Sequence, residues 1–93
     1  MKDIQNDKGF LILELTRTEL LNAYGDATLG VCDGCLSSPE GGYYVAVLNQ
    51  WLCKNCYEEW YSNAVFYPED RGVEIRNYVS VRKLTESNRD ATI

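Results

Sequence analysis

Histidine is absent from the 93-residue sequence, which removes the commonest general base and the imidazole metal ligand. A serine or cysteine nucleophile paired with histidine is excluded for the same reason. No phosphate-binding glycine loop and no pair of catalytic carboxylates can be identified. Glu58 and Glu59 are adjacent, so on a helix their side chains point in different directions. The sequence therefore predicts that the protein is not an enzyme.

A long apolar run is also missing. Residues 10–15 (FLILEL) form a short apolar stretch that includes an acidic side chain, whereas a membrane-spanning helix needs about 18 apolar residues. The opening residues, MKDIQNDKG, are polar and do not follow the pattern of a secretory signal peptide. We therefore expect no membrane association and a cytoplasmic location, where paired cysteines more often hold a metal than each other.

Basic side chains are outnumbered, because nine Lys and Arg stand against 14 Asp and Glu, for a net charge of −5. Residues 1–70 carry 4 basic and 11 acidic side chains, whereas residues 71–93 carry 5 basic and 3 acidic ones. Sequence-independent affinity for nucleic acid comes from Lys and Arg, so the acidic body disfavours this partner. The basic C-terminal segment keeps it open as an alternative, through Arg71, Arg76, Arg82, Lys83 and Arg89.

All four cysteines lie in two C-x-x-C pairs, Cys32 with Cys35 and Cys53 with Cys56. Two thiolates three residues apart on a tight turn can both reach one ion at about 2.3 Å, and two such pairs complete a tetrahedral Cys₄ site. We therefore expect one structural Zn²⁺. Iron held by the same sulfurs is an alternative, since sulfur ligation alone does not exclude it. A redox couple needs only one pair, and disulfides would suit an exported protein.

The residues within each pair indicate how the two turns are built. Gly34 and Asn55 hold corresponding positions, and both tolerate the left-handed backbone that we expect there. The second pair runs directly into a predicted helix, which places Cys56 in its first turn, where the helix N-terminus favours a thiolate. Four cysteine ligands leave no open coordination position, so we expect the ion to serve folding rather than catalysis.

Clear patterns flank the cysteines. Residues 43–48 (YYVAVL) predict a strand, and Trp51 with Leu52 predicts the return strand of a hairpin that turns at residues 49–50. Beyond the second pair, a helix is predicted from apolar residues spaced i, i+3, i+4, i+7 and i+8, namely Tyr57, Trp60, Tyr61, Ala64 and Val65.

The remaining segments are less distinct. Residues 10–15 fit a strand or the start of a helix. Thr16 and Glu19 have the spacing of a capping box, which predicts a short helix after them. Residues 73–84 fit either a strand or a helix, and their acidic start and basic end slightly favour a helix.

A cysteine turn, a turn-rich loop, a β-hairpin and a second C-x-x-C opening a helix together resemble the treble-clef zinc finger over residues 31–66. The resemblance implies a small α+β fold around a structural zinc, but no single function, because treble clefs serve in ribosomal proteins, adaptor modules, ubiquitin-related domains and nucleases. The nuclease members depend on a histidine that this chain lacks. We expect one zinc-binding domain at residues 10–84, with flexible ends at 1–9 and 85–93.

Eight aromatic residues fall between positions 43 and 67, and Tyr and Trp are enriched at protein interfaces. A domain this small can hardly bury both faces of the predicted hairpin, so one face is expected to meet a partner. The sequence thus predicts a protein–protein interaction or regulatory module of bacterial or mobile-element type. The candidate partner-binding residues are Tyr43, Tyr44, Trp51, Glu58 and Glu59. The alternatives are a nucleic-acid-binding regulator and an acidic inhibitor that blocks a nucleic-acid groove on a partner enzyme.

Overall fold

A four-stranded antiparallel sheet, whose strands lie side by side in chain order, forms the centre of the protein. The computed structural model describes residues 2–4, 6–24 and 31–91, and their side chains except at 23–24 and 86–91. The elements are strands β1 (Lys2–Ile4), β2 (Ile12–Thr16), β3 (Gly41–Val45) and β4 (Gln50–Leu52), and helices α1 (Arg17–Tyr24), α2 (Lys54–Asn63) and α3 (Arg71–Ala91), with a 3₁₀ turn at Pro68–Asp70. The predicted α+β class is confirmed.

Strand β2 lies inside the sheet, between β1 and β3, and accounts for the apolar run near the N-terminus. Ile12 is buried on one face, and Leu13 and Leu15 are buried on the other. A strand that is covered on both faces has a nearly continuous run of apolar residues. Residues 10–15 therefore lack the alternation of apolar and polar residues that marks a half-buried strand. The strand interpretation of this segment is therefore correct, and the helix interpretation is wrong.

Helix α1 begins directly after β2 at the predicted capping box. The Thr16 hydroxyl accepts a hydrogen bond from the Glu19 backbone N–H at 3.1 Å, and the Glu19 carboxylate accepts one from the Thr16 N–H at 3.0 Å. These reciprocal bonds satisfy donors that a helix start leaves without partners. The prediction of a short capped helix is confirmed.

Each face of the sheet carries its own hydrophobic core. On one face, Leu20 of α1 and Val81 of α3 cluster with buried residues of the strands and the hairpin loop: Leu13, Leu15, Tyr44, Ala46 and Trp51. On the other face, α2 contributes Tyr57, Trp60 and Tyr61, which pack against Phe10, Ile12, Cys32, Val45 and Leu52. The expectation that one face of the hairpin is left for a partner is therefore wrong, because helices cover both faces.

The hairpin turn is longer than predicted. Val45 pairs with Gln50, so residues 46–49 form the loop, and Asn49 adopts a left-handed backbone with φ of 55°. Asparagine tolerates this conformation better than most residues with a Cβ atom. The predicted strand at residues 43–48 is therefore shifted to Gly41–Val45.

Helix α2 ends two residues earlier than its apolar pattern suggests. Tyr57, Trp60, Tyr61 and Ala64 pack into the core, but Val65 lies beyond the helix and is 62% exposed. The Lys8 ammonium donates hydrogen bonds to the backbone carbonyls of Tyr61 at 2.5 Å and Ala64 at 2.8 Å. A cation at this end of a helix is favoured by the helix dipole, and it adds to the 3.2 Å hydrogen bond that the Ala64 N–H donates to the Tyr61 carbonyl.

Regular elements occupy parts of both segments, 1–9 and 85–93, that the sequence predicts to be flexible. Strand β1 pairs with β2, and the Asp3 carboxylate accepts hydrogen bonds from Tyr78 and, at 2.8 Å, from Arg82. Helix α3 continues past position 84 to Ala91, while residues 92 and 93 lie outside the described part. The contacts of Asp3 join residues 75 and more positions apart, so no local pattern signals them.

Helix α3 is long but amphipathic, which confirms the slight preference for a helix at residues 73–84. Its inward side includes Glu74, Tyr78 and Val81, whereas Ile75 and Val79 are exposed. Within the described residues, no helix combines the length and the apolar character that crossing a membrane requires.

Glu74 connects α3 to the start of β2. Its side chain is 1% exposed, and its carboxylate accepts a hydrogen bond from the Leu11 N–H at 2.9 Å and pairs with Arg71 at 2.9 Å. Three residues along the helix, the Asn77 amide donates to the Ala46 carbonyl at 2.9 Å. Two polar side chains of α3 thus satisfy backbone groups at the point where β2 meets the hairpin loop.

We predict that Glu74→Ala lowers the free energy of unfolding by about 1–3 kcal/mol, because it leaves the Leu11 N–H without its acceptor. Urea denaturation measures the change. The matched control is Glu58→Ala, an exposed carboxylate on α2, where we expect a change within about 0.5 kcal/mol. Equal losses in both variants would contradict a structural role for Glu74.

Candidate metal centre

The four cysteines converge from two loop segments and the start of a helix. Cys32 and Cys35 lie on the turn before β3, Cys53 is the N-cap of α2, and Cys56 is in its first turn. Their Sγ atoms all lie within 4.8 Å of one another, and those of Cys35 and Cys53 are 3.7 Å apart. A tetrahedral ion with sulfurs at about 2.3 Å needs sulfur–sulfur distances of about 3.8 Å. The arrangement can therefore hold one metal ion, as the cysteine spacing predicts.

Cys32 is the buried member of the cluster, and backbone groups surround its sulfur. The N–H groups of Cys53, Gly34 and Cys35 point at Cys32 Sγ, at 3.2, 3.3 and 3.5 Å respectively. Burial raises the pKa of this thiol, but the three hydrogen bonds outweigh burial, and the pKa is lowered from its ordinary value. The three N–H groups thus favour the thiolate form of a sulfur that lies in the core beneath α2.

The thiol pKa values diverge across the cluster. A hydrogen bond with the Ser37 hydroxyl, 3.1 Å from Cys35 Sγ, is the main reason that the pKa of Cys35 falls to about 6. Hydrogen bonding to Cys53, followed by Cys32 and Cys35, raises the pKa of Cys56 to about 12. Sulfurs this close resist ionising together unless a cation offsets their charge. The donor set therefore matches a metal cation better than it matches four free thiols.

The turn that carries Cys32 and Cys35 closes through its own backbone. The Cys32 N–H donates to the Ser37 carbonyl at 2.7 Å, and the Leu36 N–H donates to the Cys32 carbonyl at 2.8 Å. Leu36, rather than Gly34, adopts the left-handed backbone, with φ of 64°. Asn55 lies within α2. The predictions of a left-handed backbone at Gly34 and Asn55 are therefore wrong. In the first turn Leu36 takes that conformation, and Asn55 is already helical.

Gly34 is required for space instead. A Cβ atom at this position would lie 2.9 Å from Cys56 Sγ and 3.2 Å from Cys56 Cβ. Such a contact is too short to be accommodated without displacing the cysteine. Glycine therefore allows the first turn to approach the start of α2 closely enough for both sulfur pairs to meet.

Asp33 connects the first turn to the hairpin and was not identified from the sequence. Its N–H donates to the Trp51 carbonyl at 3.0 Å, and its carboxylate accepts from the Trp51 N–H at 3.0 Å. The two bonds cover the outer edge of β4 and fix the turn next to Cys53. The available signal was an aspartate within a turn, where short carboxylates commonly bond backbone N–H groups.

The predicted partner-binding residues do not form one surface. Tyr44 and Trp51 are only 4% and 3% exposed, and the Trp51 indole donates to the Leu15 carbonyl at 3.2 Å. The core that Leu20 of α1 and Val81 of α3 complete encloses both side chains, so neither lies at the surface that a partner would meet. Tyr43 is half-buried and stacks on the Tyr57 ring at 4.5 Å, while Glu58 and Glu59 are exposed on α2.

We predict that Gly34→Ala lowers metal affinity at least tenfold, because the added Cβ displaces Cys56; changes just outside a ligand set typically cost about 10- to 100-fold in affinity. Competition with a chromophoric chelator measures the affinity. Gly41→Ala is the matched control, since a Cβ there meets nothing within 4 Å. Unchanged affinity in Gly34→Ala would contradict the close approach of the two cysteine pairs.

Comparison with known proteins does not identify a family: no protein-family model matches the chain, and no curated protein or solved structure is significantly similar to it.

Proposed function

We propose that the four cysteines bind one structural Zn²⁺ and that the resulting domain is a non-catalytic protein–protein interaction module. Zinc is the commonest ion in tetrahedral sites made only of cysteine, and such sites contribute folding energy rather than reactivity. The sulfur distances fit one tetrahedral ion, and four protein ligands leave no position for a reacting water. Iron is the alternative, and its thiolate complex would be distinguished by strong absorption of visible light.

The order of elements around the cysteines supports a treble-clef arrangement. The first cysteine turn is followed by the β3–β4 hairpin, and the second pair opens α2. This order, and the meeting of both pairs between the hairpin and the helix start, is the arrangement that the sequence resemblance implies. On this proposal, β1 and β2 extend the sheet of a compact zinc-centred unit. Helices α1 and α3 cover the far side of its hairpin.

The interaction role rests on one observation: large apolar side chains remain at the surface although both sheet faces are covered. Exposed fractions range from 39% to 76% for a set that comprises Leu36, Leu48, Val65, Tyr67, Val73, Ile75, Val79 and Leu84. Exposed apolar side chains that are grouped together mark interaction sites more often than singly scattered ones do. Leu48, Val65 and Tyr67 line one depression beside α2 and so form such a group.

The contacts of the basic segment weigh against nucleic-acid binding as the main role. Arg71 pairs with Glu74, and Arg82 pairs with Asp3, so part of the segment's charge is neutralised within the fold. The acidic-inhibitor alternative has more support, since Glu58, Glu59, Glu69 and Asp70 are all exposed. Exposed carboxylates of this kind can compete with phosphates for a basic groove.

We predict that the zinc-loaded chain captures a protein partner from a native lysate of its host, and that nuclease treatment does not release this partner. Chelation should abolish capture, because loss of the ion disorders the structure that presents the surface. Quantitative mass spectrometry of the eluates, with the chelated chain as the control, measures the enrichment. Recovery of nucleic acid without any protein would contradict the interaction role, while release of a captured enzyme by added DNA or RNA would favour the inhibitor.

A further inference from the structure

A groove runs along one side of α2, between the helix and the hairpin loop. It consists of two adjoining depressions of about 500 Å³ and about 210 Å³, and both are lined by Leu48, Trp60 and Ala64. The larger one begins at the cysteine cluster, beside Gly34 and Cys56, and the smaller one ends near Tyr67 and Asp70. The groove therefore extends from the metal centre to the turn before α3.

The floor of this groove is apolar, and its charged lining is acidic. Glu59 lines the larger depression, and Asp70 and Glu74 line the smaller one. Among the described residues that line either depression, none is Lys or Arg. Because Glu74 is paired with Arg71, the carboxylates that remain for a ligand are Glu59 and Asp70, one in each depression.

Lys8 and Arg71 lie near the groove, and both are engaged by other groups. The Lys8 ammonium bonds the backbone carbonyls of Tyr61 and Ala64, at the end of α2. The Arg71 guanidinium pairs with Glu74, donates to the Gly9 carbonyl at 2.8 Å and lies over the Phe66 ring at 4.6 Å. Neither contact neutralises Glu59 or Asp70, so the groove keeps its negative character.

We propose that this groove binds a short segment of another protein that carries apolar side chains together with Lys or Arg. The apolar floor would receive the apolar side chains, and Glu59 and Asp70 would pair with the cations. The proposal rests on the interaction role above and specifies the chemistry of the partner. The net charge of −5 would also steer a basic segment towards the groove and repel nucleic acid.

The shape of the groove favours a polypeptide over a small molecule. Small-molecule sites typically bury about 70–90% of the ligand surface in an enclosed cavity. The larger depression is more open than enclosed, so it would leave part of a small ligand uncovered. An amphipathic segment that lays one face into a groove needs no such enclosure.

The test is selection from a random peptide display library on the zinc-loaded chain, followed by affinity measurements on the selected peptides. We expect sequences that combine Lys or Arg with large apolar residues. Glu59→Lys should weaken their binding about three- to tenfold, since it turns an attraction into a like-charge repulsion. Glu58→Lys is the matched control, because it makes the same charge change one residue away, outside the groove lining, and should leave affinity within twofold.

A second pair of variants tests the apolar floor. Leu48→Arg places a cation in both depressions and should reduce peptide affinity at least tenfold, whereas Val79→Arg changes another exposed apolar residue, on α3, and should not. Circular dichroism and zinc content identical to those of the parent chain establish that each variant is folded. Peptides without basic residues, peptides insensitive to Glu59→Lys and Leu48→Arg, or no selected peptide at all would overturn the proposal.

The outcome also separates the groove from the general interaction role. A native partner that binds the parent chain, Glu59→Lys and Leu48→Arg equally well would leave the interaction role standing and place the partner on another surface. The absence of both a native partner and a selected peptide would remove both proposals.

Discussion

Four cysteine sulfurs within 4.8 Å of one another impose the constraint on which the hydrophobic core between the sheet and α2 depends. They bring the turn before β3, the end of β4 and the start of α2 to one point, and Cys32, Cys53 and Cys56 also pack with the apolar residues beneath α2. In zinc-finger peptides, structural zinc contributes about 10–16 kcal/mol of binding free energy, which matches the whole stability of a typical domain. An ion in this position would therefore decide whether this half of the molecule is ordered.

The opposite half depends on different interactions. Strand β2 carries both cores on its two faces, and α3 is fixed across the far face by Val81, by the carboxylate of Glu74 and by the contacts of Asp3 with Arg82. The start of α3 also reaches the other core, because the Arg71 guanidinium lies over the Phe66 ring. This division explains how a 93-residue chain covers both faces of its hairpin.

Local patterns predicted the features that depend on local chemistry. The spacing of the cysteines, the capping box of Thr16 and Glu19, and the aromatic face of α2 each follow from residues a few positions apart. The sequence did not predict the burial of Tyr44 and Trp51, because the covering helices belong to distant segments. The β1 strand was missed for the same reason, since Asp3 finds its partners on α3. Within the site, the left-handed backbone of Leu36 and the hydrogen bonds of Asp33 to Trp51 depend on how the cysteine turn closes. The order of residues alone did not predict them.

X-ray absorption spectroscopy at the edge of the bound metal, on the chain purified without added chelator, tests the central claim most directly. The account predicts one ion per chain with a single shell of four sulfur atoms at about 2.3 Å, at the zinc edge. A shell containing oxygen or nitrogen ligands, fewer than four sulfurs, or a folded chain with no bound metal would contradict it.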